Sequence, residues 1–311
     1  MNKNVYEYFM DLHSKDLPKN EHSFVMDGER IVEQGKLMSA YGAPNLTIDG
    51  TPFHAKKMLK RHPIMEFATE AMYKEIGIPV LQTYPLETAG KGDKKFKTIS
   101  QHVYDIDGLI FAISGEIQKD RDFSYFRVFN DYKWAIFYDK KLQELFLKYM
   151  TPECFEMLGA LYLIDELRTE VDRHEDNLFY AKDYEDRKLS TILAFDNELA
   201  EITLAEPLPT TKEEFDRFIK HPYFSYTPQN GSSPQLSYQT RMDNFKKLIQ
   251  DNVLTPKQIK MVQDALRFDF PAEIKKAGTH PFLQAEAPAS YDAVSRLWEY
   301  NNTELSKELG M

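Results

Sequence analysis

The stretch of residues 155–167 constrains the fold most, because a helix with this sequence is apolar on nearly all of its sides. It reads FEMLGALYLIDEL, whereas a helix at a protein surface would carry a broad polar stripe. Thr151 and Pro152 supply the N-cap and first-turn residues that favour a helix start here. A helix of this kind needs neighbours all round it. We therefore predict that it is buried in a large, helix-rich part of the chain.

Two short β-like runs follow this helix, at residues 177–181 and 190–195, and a charged turn separates them. This pattern predicts a hairpin. Asp172 and Asn177 precede or begin the first run, and Asp196 follows the second. The hairpin would bring these three side chains together at its open end, opposite the turn. Two carboxylates and an amide oxygen suit Mg²⁺, which prefers oxygen ligands, and a site of this kind is what phosphoryl transfer needs.

The first hundred residues show a different pattern, typical of strands with one helix. In the predicted strand 51–59, alternation places Lys57 on the same face as apolar neighbours. Pro63 predicts the start of a helix that runs to about Ile76, and Gly77 predicts its end. Another strand is predicted from Phe96 onwards, and helix signals dominate beyond residue 105. The sequence therefore predicts an α+β fold.

These motifs resemble the atypical branch of the protein-kinase-like superfamily. Asp172-Arg173-His174-x-x-Asn177, followed by Asp196, is similar to the catalytic loop and metal-binding Asp of HipA-like and CtkA-like kinases and of phosphatidylinositol 3/4-kinases. The segment from Glu66 to Gly77 resembles the glutamate-bearing helix of the HipA-like and CtkA-like members. The resemblance implies a bilobal fold, with a β-rich N-lobe in residues 1–104 and a helical C-lobe in residues 105–311. It also implies ATP and Mg²⁺ as cofactors, with Mn²⁺ as an alternative metal.

The resemblance also implies a role for individual residues. Asp172 would orient or deprotonate the acceptor hydroxyl, and Asn177 and Asp196 would hold the metal. Lys57 would bind the ATP phosphates, with Lys56 as the second choice. The other residues implied are Glu66, which would pair with that lysine; His174, in the catalytic loop; Gly42 and Ala43, in a phosphate-covering loop; and Gln101 and Val103, whose backbone would bond adenine.

The acceptor of the phosphoryl group stays open at this stage. The Glu66 helix favours a serine/threonine protein kinase of HipA/CtkA type. Phe195-Asp196-Asn197 resembles type II phosphatidylinositol 4-kinases and favours a phosphoinositide acceptor instead. A pseudokinase that binds a partner and a fold that transfers AMP are further alternatives. The basic run 56–62 is either a solvated turn or a contact for an anionic activator.

Composition limits the partners and the compartment. The 39 basic and 49 acidic side chains give a net charge of −10, which argues against a general nucleic-acid binder. Cys154 is the single cysteine, so no intramolecular disulfide can form. No apolar run approaches the ~18 residues of a membrane-spanning helix, and the N-terminus lacks a signal-peptide pattern. We predict a cytoplasmic protein, or one secreted into a host cell without a cleavable signal. The sequence does not determine the oligomeric state.

Overall fold

The computed structural model of this chain describes residues 23–26, 29–31, 45–48, 51–57, 62–80, 83–85, 88–89, 96–101, 110–113, 135–171, 173, 177–182, 188–194, 197, 200–205, 207–220, 236–279 and 283–311. The strands in these ranges are β1 (Ser23–Met26), β2 (Glu29–Ile31), β3 (Asn45–Ile48), β4 (Thr51–Lys57), β5 (Thr83–Pro85), β6 (Thr88–Ala89), β7 (Phe96–Gln101), β8 (Ile110–Ile113), β9 (Leu178–Lys182) and β10 (Leu189–Ala194).

The strands form three antiparallel sheets. Their strand orders are β2-β1-β6, β3-β4-β7-β5 and β10-β9-β8. The register of β4 against β7 shifts between Lys56 and Lys57. A shift of this kind interrupts the strict alternation of side chains along a strand. The alternation argument for Lys57 over Lys56 therefore does not hold at this point of the strand.

Helices make up most of the described chain. They are α1 (His62–Ile76), α2 (Ala135–Tyr138), α3 (Lys140–Tyr149), α4 (Pro152–Arg168), α5 (Glu201–Leu204), α6 (Lys212–Lys220), α7 (Tyr238–Gln250), α8 (Pro256–Arg267), α9 (Phe270–Ala277) and α10 (Ala287–Leu309). Their starts follow local rules. The Thr151 hydroxyl accepts the Cys154 N–H at 3.2 Å, and Thr255 with Gln258 forms a complete capping box at α8. Within the part of the chain that the structure describes, none of these helices combines the length and apolar content that crossing a bilayer requires.

Helix α4 lies at the centre of the helical core. Every residue from Leu158 to Arg168 is buried, and α4 packs against α3, α7, α8, α10 and strand β10. Helix α1 is also deeply buried, and it packs against α8 and α9 from the C-terminal part of the chain. The two helices that flank the candidate site are therefore held from several sides.

The structure confirms the main sequence predictions and corrects others. The helix that ends at Ile76, the buried helix after Thr151 and the β9–β10 hairpin are all present. The polar composition of residues 1–27 predicts an irregular segment, but β1 lies within it. The apolar residues from Ile78 to Leu81 predict the start of a strand, but the structure has an isolated bridge there between Val80 and Ala194.

The start of the last helix is a further correction. The sequence pattern predicts Ser290 as its N-cap. Helix α10 instead begins at Ala287, so Ser290 lies inside it. Its hydroxyl donates to the Glu286 carbonyl at 2.8 Å, one turn back along the helix. A serine in a first helical turn can make this local bond as well as a capping bond, and the sequence alone does not separate the two.

Candidate functional site

The β9–β10 hairpin brings Asn177 and the last residue of β10 to the same end of a sheet. Leu178 pairs with Ala194 in the antiparallel ladder. Asn177 precedes Leu178, and its side chain is buried. Asp196 is two positions beyond Ala194 in the sequence. Because the register fixes both strands at this end, Asn177 lies beside the end of β10, the strand that Asp196 follows in the sequence.

A tight turn at Thr169 directs the chain from α4 towards the predicted catalytic loop. Thr169 has a left-handed backbone conformation, with φ at 61°, which is uncommon for a β-branched residue. Two bonds from helix α5 hold the turn. The Glu201 N–H donates to the Thr169 carbonyl at 2.8 Å, and the Ile202 N–H donates to its hydroxyl at 3.1 Å. The direction of the chain towards residue 172 is therefore fixed by tertiary contacts.

Glu66 connects helix α1 to the turn after the predicted metal ligand. Its side chain is fully buried. One carboxylate oxygen accepts the backbone N–H of Asn197 at 2.7 Å, and the other accepts the Thr83 hydroxyl at 3.1 Å. Hydrogen bonds to a charged acceptor of this kind contribute about 1.5–3 kcal/mol each. Glu66 therefore holds the backbone immediately after Asp196.

Arg173, the second residue of the predicted catalytic loop, contacts three separate segments. Its Nε donates to Asp165 of α4 at 2.8 Å. One terminal nitrogen donates to the Asn177 carbonyl at 3.1 Å, and the other donates to Oδ1 of Asn197 at 2.5 Å. Burial opposes the charge of Arg173, but Asp165 and the other acidic groups around it outweigh burial and raise its pKa well above the usual value. The guanidinium therefore stays charged.

Arg168 extends this cluster to helix α1. Its terminal nitrogens donate to the Thr69 hydroxyl at 2.7 Å, to the Asn197 carbonyl at 3.1 Å and to Glu170 at 2.6 Å. The Tyr73 hydroxyl, also from α1, donates to Asp165 at 2.5 Å. Charged groups are tolerated in a core when they are paired in this way. The cluster joins α1, α4, the loop before β9 and the turn after β10.

Glu70 lies one helical turn after Glu66 and is also buried. Its Oε2 accepts the Thr83 N–H at 2.9 Å, whereas Oε1 has no hydrogen-bond partner among the described residues. Burial, and then the neighbouring charge of Glu66, raises the pKa of Glu70 to about 8. Glu70 is therefore mainly a neutral acid at pH 7.

The remaining predicted site residues divide into two groups. Lys56 and Lys57 lie at the end of β4 and Gln101 at the end of β7, which is paired antiparallel with β4. The residues that lie outside the described part of the chain are Gly42, Ala43, Val103, Asp172, His174 and Asp196. The predictions for both groups stay predictions. Glu66, Arg173, Asn177 and Asn197 are brought together.

Asp165 and Arg168 were not among the predicted site residues, and Arg173 was part of the predicted motif without a role of its own. A signal for Asp165 and Arg168 is present in the sequence. Helix α4 was predicted to be buried all round, yet its last turn carries Asp165, Glu166 and Arg168. Charged side chains in a fully buried helix require partners. Their presence in that turn predicts a buried ion-pair cluster, although it does not identify the partners.

Comparison with solved structures identifies the fold. The proinflammatory kinase CtkA of Helicobacter pylori aligns with a TM-score of 0.53 over 90% of this chain and 94% of that one, at 12% sequence identity. The chain has a kinase-like fold. HipA of Shewanella oneidensis MR-1, solved with HipB and operator DNA, aligns with a TM-score of 0.48 over 90% of this chain and 67% of that one, at 14% identity. No protein-family model and no curated protein matches the sequence.

The fold comparison agrees with the resemblance drawn from the motifs. Both indicate a kinase-like fold. The described part of the chain is a mixed fold in which helices dominate.

Proposed function

We propose that this protein is an ATP- and Mg²⁺-dependent phosphotransferase with two lobes, residues 1–104 and 105–311. The bond from the Asn197 N–H to Glu66 carries the proposal. Residues 131 positions apart in the sequence meet there. They are the glutamate of the kinase-like helix and the residue directly after the candidate metal-binding Asp196. A chance match of short motifs gives no reason for these two segments to meet.

The residues present fit a Mg²⁺ site. Asn177 supplies an amide oxygen next to the end of the β9–β10 hairpin at which Leu178 pairs with Ala194, and Asp196 follows Ala194 by two positions in the sequence. Oxygen donors of this type suit a hard cation that keeps several waters. Bound Mg²⁺ would neutralise charge on the phosphates of ATP.

The chain's own residues then take the following roles. Asp172 orients the acceptor hydroxyl or accepts its proton. Asn177 and Asp196 hold the metal, and Lys57 or Lys56 binds the phosphates. Glu66 holds the turn after Asp196 and pairs with that lysine. Gly42 and Ala43 belong to the loop that covers the phosphates. The backbone of Gln101 and Val103 bonds adenine, and His174 stabilises the catalytic loop.

A protein hydroxyl is the acceptor we favour. The likeness to CtkA, named a proinflammatory kinase, supports a kinase, and the resemblance of the Glu66 helix to HipA-like and CtkA-like members favours the serine/threonine type. Phe195-Asp196-Asn197, which resembles the phosphatidylinositol 4-kinase motif, supports a phosphoinositide acceptor as the second candidate. The two are separated by offering labelled ATP with either a mixed protein substrate or phosphoinositide vesicles, and by measuring which product becomes labelled.

Two aspartate variants test the reaction itself. We expect Asp196→Ala to abolish Mg²⁺-nucleotide binding. We expect Asp172→Ala to keep nucleotide binding and to lose at least about 10²-fold in rate, because it removes acid–base and orienting help alone. Asp216→Ala, an exposed aspartate on α6, is the matched control and should behave like wild type. Wild-type turnover by both site variants would contradict the assignment.

The remaining alternatives give different products. A pseudokinase would show no ATP turnover with either Mg²⁺ or Mn²⁺. A fold that transfers AMP would leave an adduct that mass spectrometry separates from phosphate. Phosphate on the acceptor, with ADP released, is the outcome that supports the proposal.

A further inference from the structure

The guanidinium of Arg173 connects the two segments that meet at the candidate metal site. One of its terminal nitrogens bonds the backbone carbonyl of Asn177, at 3.1 Å. The other bonds the side-chain oxygen of Asn197, at 2.5 Å. Asn177 is one proposed metal ligand, and Asn197 directly follows the other, Asp196. A single planar group therefore spans both halves of the proposed site.

The other contacts of Asn197 leave this residue little freedom. Its N–H donates to Glu66 and its carbonyl accepts from Arg168. Its side-chain Nδ2 is buried and has no hydrogen-bond partner among the described residues. Oδ1 is thus the side-chain atom through which Asn197 is held, and Arg173 is what holds it.

We propose that Arg173 is a positioning residue that holds Asn177 beside Asn197, the residue that directly follows Asp196 in the sequence, and thereby sets the affinity for Mg²⁺. The inference rests on the proposed function. Arginine suits this role because its donors have a fixed planar geometry, so two acceptors bonded to it are held at a fixed separation. Groups that orient metal ligands without touching the metal typically change metal affinity or activity 10–100-fold when removed.

The test uses Asn197→Leu in the full chain. Leucine has a similar size but cannot accept from Arg173, and it removes the unpartnered Nδ2 as well. Asn301→Leu is the matched control, because Asn301 is an equally buried asparagine in α10 that bonds Tyr238 and the Leu167 carbonyl. Asn197→Asp keeps an oxygen facing Arg173 and serves as the rescue variant.

The first measurement is binding of a fluorescent ATP analogue as Mg²⁺ is varied, without turnover. We expect Asn197→Leu to raise the Mg²⁺ midpoint about 10-fold or more. Asn301→Leu should leave the midpoint at the wild-type value, and Asn197→Asp should return it towards that value. An unchanged midpoint in Asn197→Leu overturns the inference while the proposed function stands. Absence of Mg²⁺-dependent binding in wild type overturns the proposed function, and the metal role of Arg173 with it.

The second measurement is hydrogen exchange of peptides that cover residues 172–177 and 194–200. Loss of a bond to a charged donor should speed exchange in both segments about 10-fold in Asn197→Leu, and Asn301→Leu should not reproduce this pattern. Unchanged exchange in both segments overturns the link itself. If Asn197→Leu does not fold, Arg173→Lys replaces it, because lysine keeps a charge for Asp165 but loses the planar pair of donors.

Discussion

Glu70 gives the sharpest test of the buried site, because its ionisation should appear in the free energy of unfolding. The substitution is Glu70→Gln. The Glu70 side chain bonds the Thr83 N–H through one oxygen, and the other oxygen has no partner among the described residues. Burial, and to a smaller extent the charge of Glu66, raises the pKa of the carboxyl from an ordinary value of 4.5 to about 8. Glutamine resembles the protonated acid in shape and in hydrogen-bonding groups, and it cannot ionise.

The sign of the pH effect follows from these two pKa values. Between about pH 4.5 and about pH 8, the folded chain holds one proton at Glu70 that the unfolded chain has released. The contribution of Glu70 to stability is therefore greatest below pH 4.5, and it falls as the pH rises towards 8. The slope is about 1.4 kcal/mol per pH unit, which corresponds to about 5 kcal/mol over the whole interval.

The measurement is urea unfolding followed by circular dichroism at pH 5.5, 6.5 and 7.5. The free energy of unfolding of Glu70→Gln minus that of wild type should increase by about 3 kcal/mol across this range. Glu75→Gln, at an exposed position on the same helix, is the matched control. Its free energy of unfolding should depend on pH in the same way as that of wild type. If the free energy of unfolding of Glu70→Gln has the same pH dependence as that of wild type, Glu70 is ionised in the folded protein and the reasoning from burial is wrong.

Two further predictions concern the helical core. Asn301→Leu should lower the free energy of unfolding by about 2–4 kcal/mol, because it removes bonds to Tyr238 and to the Leu167 carbonyl. Thr255→Ala should lower it by about 1 kcal/mol, because the capping box at α8 is lost. Thr303→Ala, at an exposed position in α10, is the control for both and should stay within about 0.5 kcal/mol of wild type. The free energy of unfolding of all three variants is measured by urea unfolding at one pH. Urea midpoints equal to that of wild type for Asn301→Leu and Thr255→Ala would contradict both predictions.

Elements that depend on local chemistry were predictable. Thr151 with Pro152, and Thr255 with Gln258, mark helix starts that the structure confirms. Gly77 ends α1 with φ at 81°, a conformation that favours glycine. Each of these features is decided within one helical turn of the residue that signals it, so the sequence is sufficient to place them.

The candidate site was predictable in a different way. The order of Glu66, Asn177 and Asp196 along the chain contributed to the resemblance to atypical kinases, and that resemblance implied the roles of these residues. The contact of Glu66 with the Asn197 N–H did not follow from any local pattern. The cluster of Asp165, Arg168 and Arg173 was missed, because an apolar helix predicts burial but not the partners of the charges it carries.

The sequence by itself determined the starts of α4 and α8, the end of α1, the β9–β10 hairpin and the order of the motifs, because these depend on neighbours a few residues apart. The tertiary structure decided which charged groups pair in the core. Tyr73 meets Asp165 across 92 positions, and Glu66 meets Asn197 across 131. These distant pairs form because the side chains of α1 are buried against α4 and the hairpin, where water is excluded. A charged group buried in this way is stable only when it is paired with a polar or charged group that the fold places beside it.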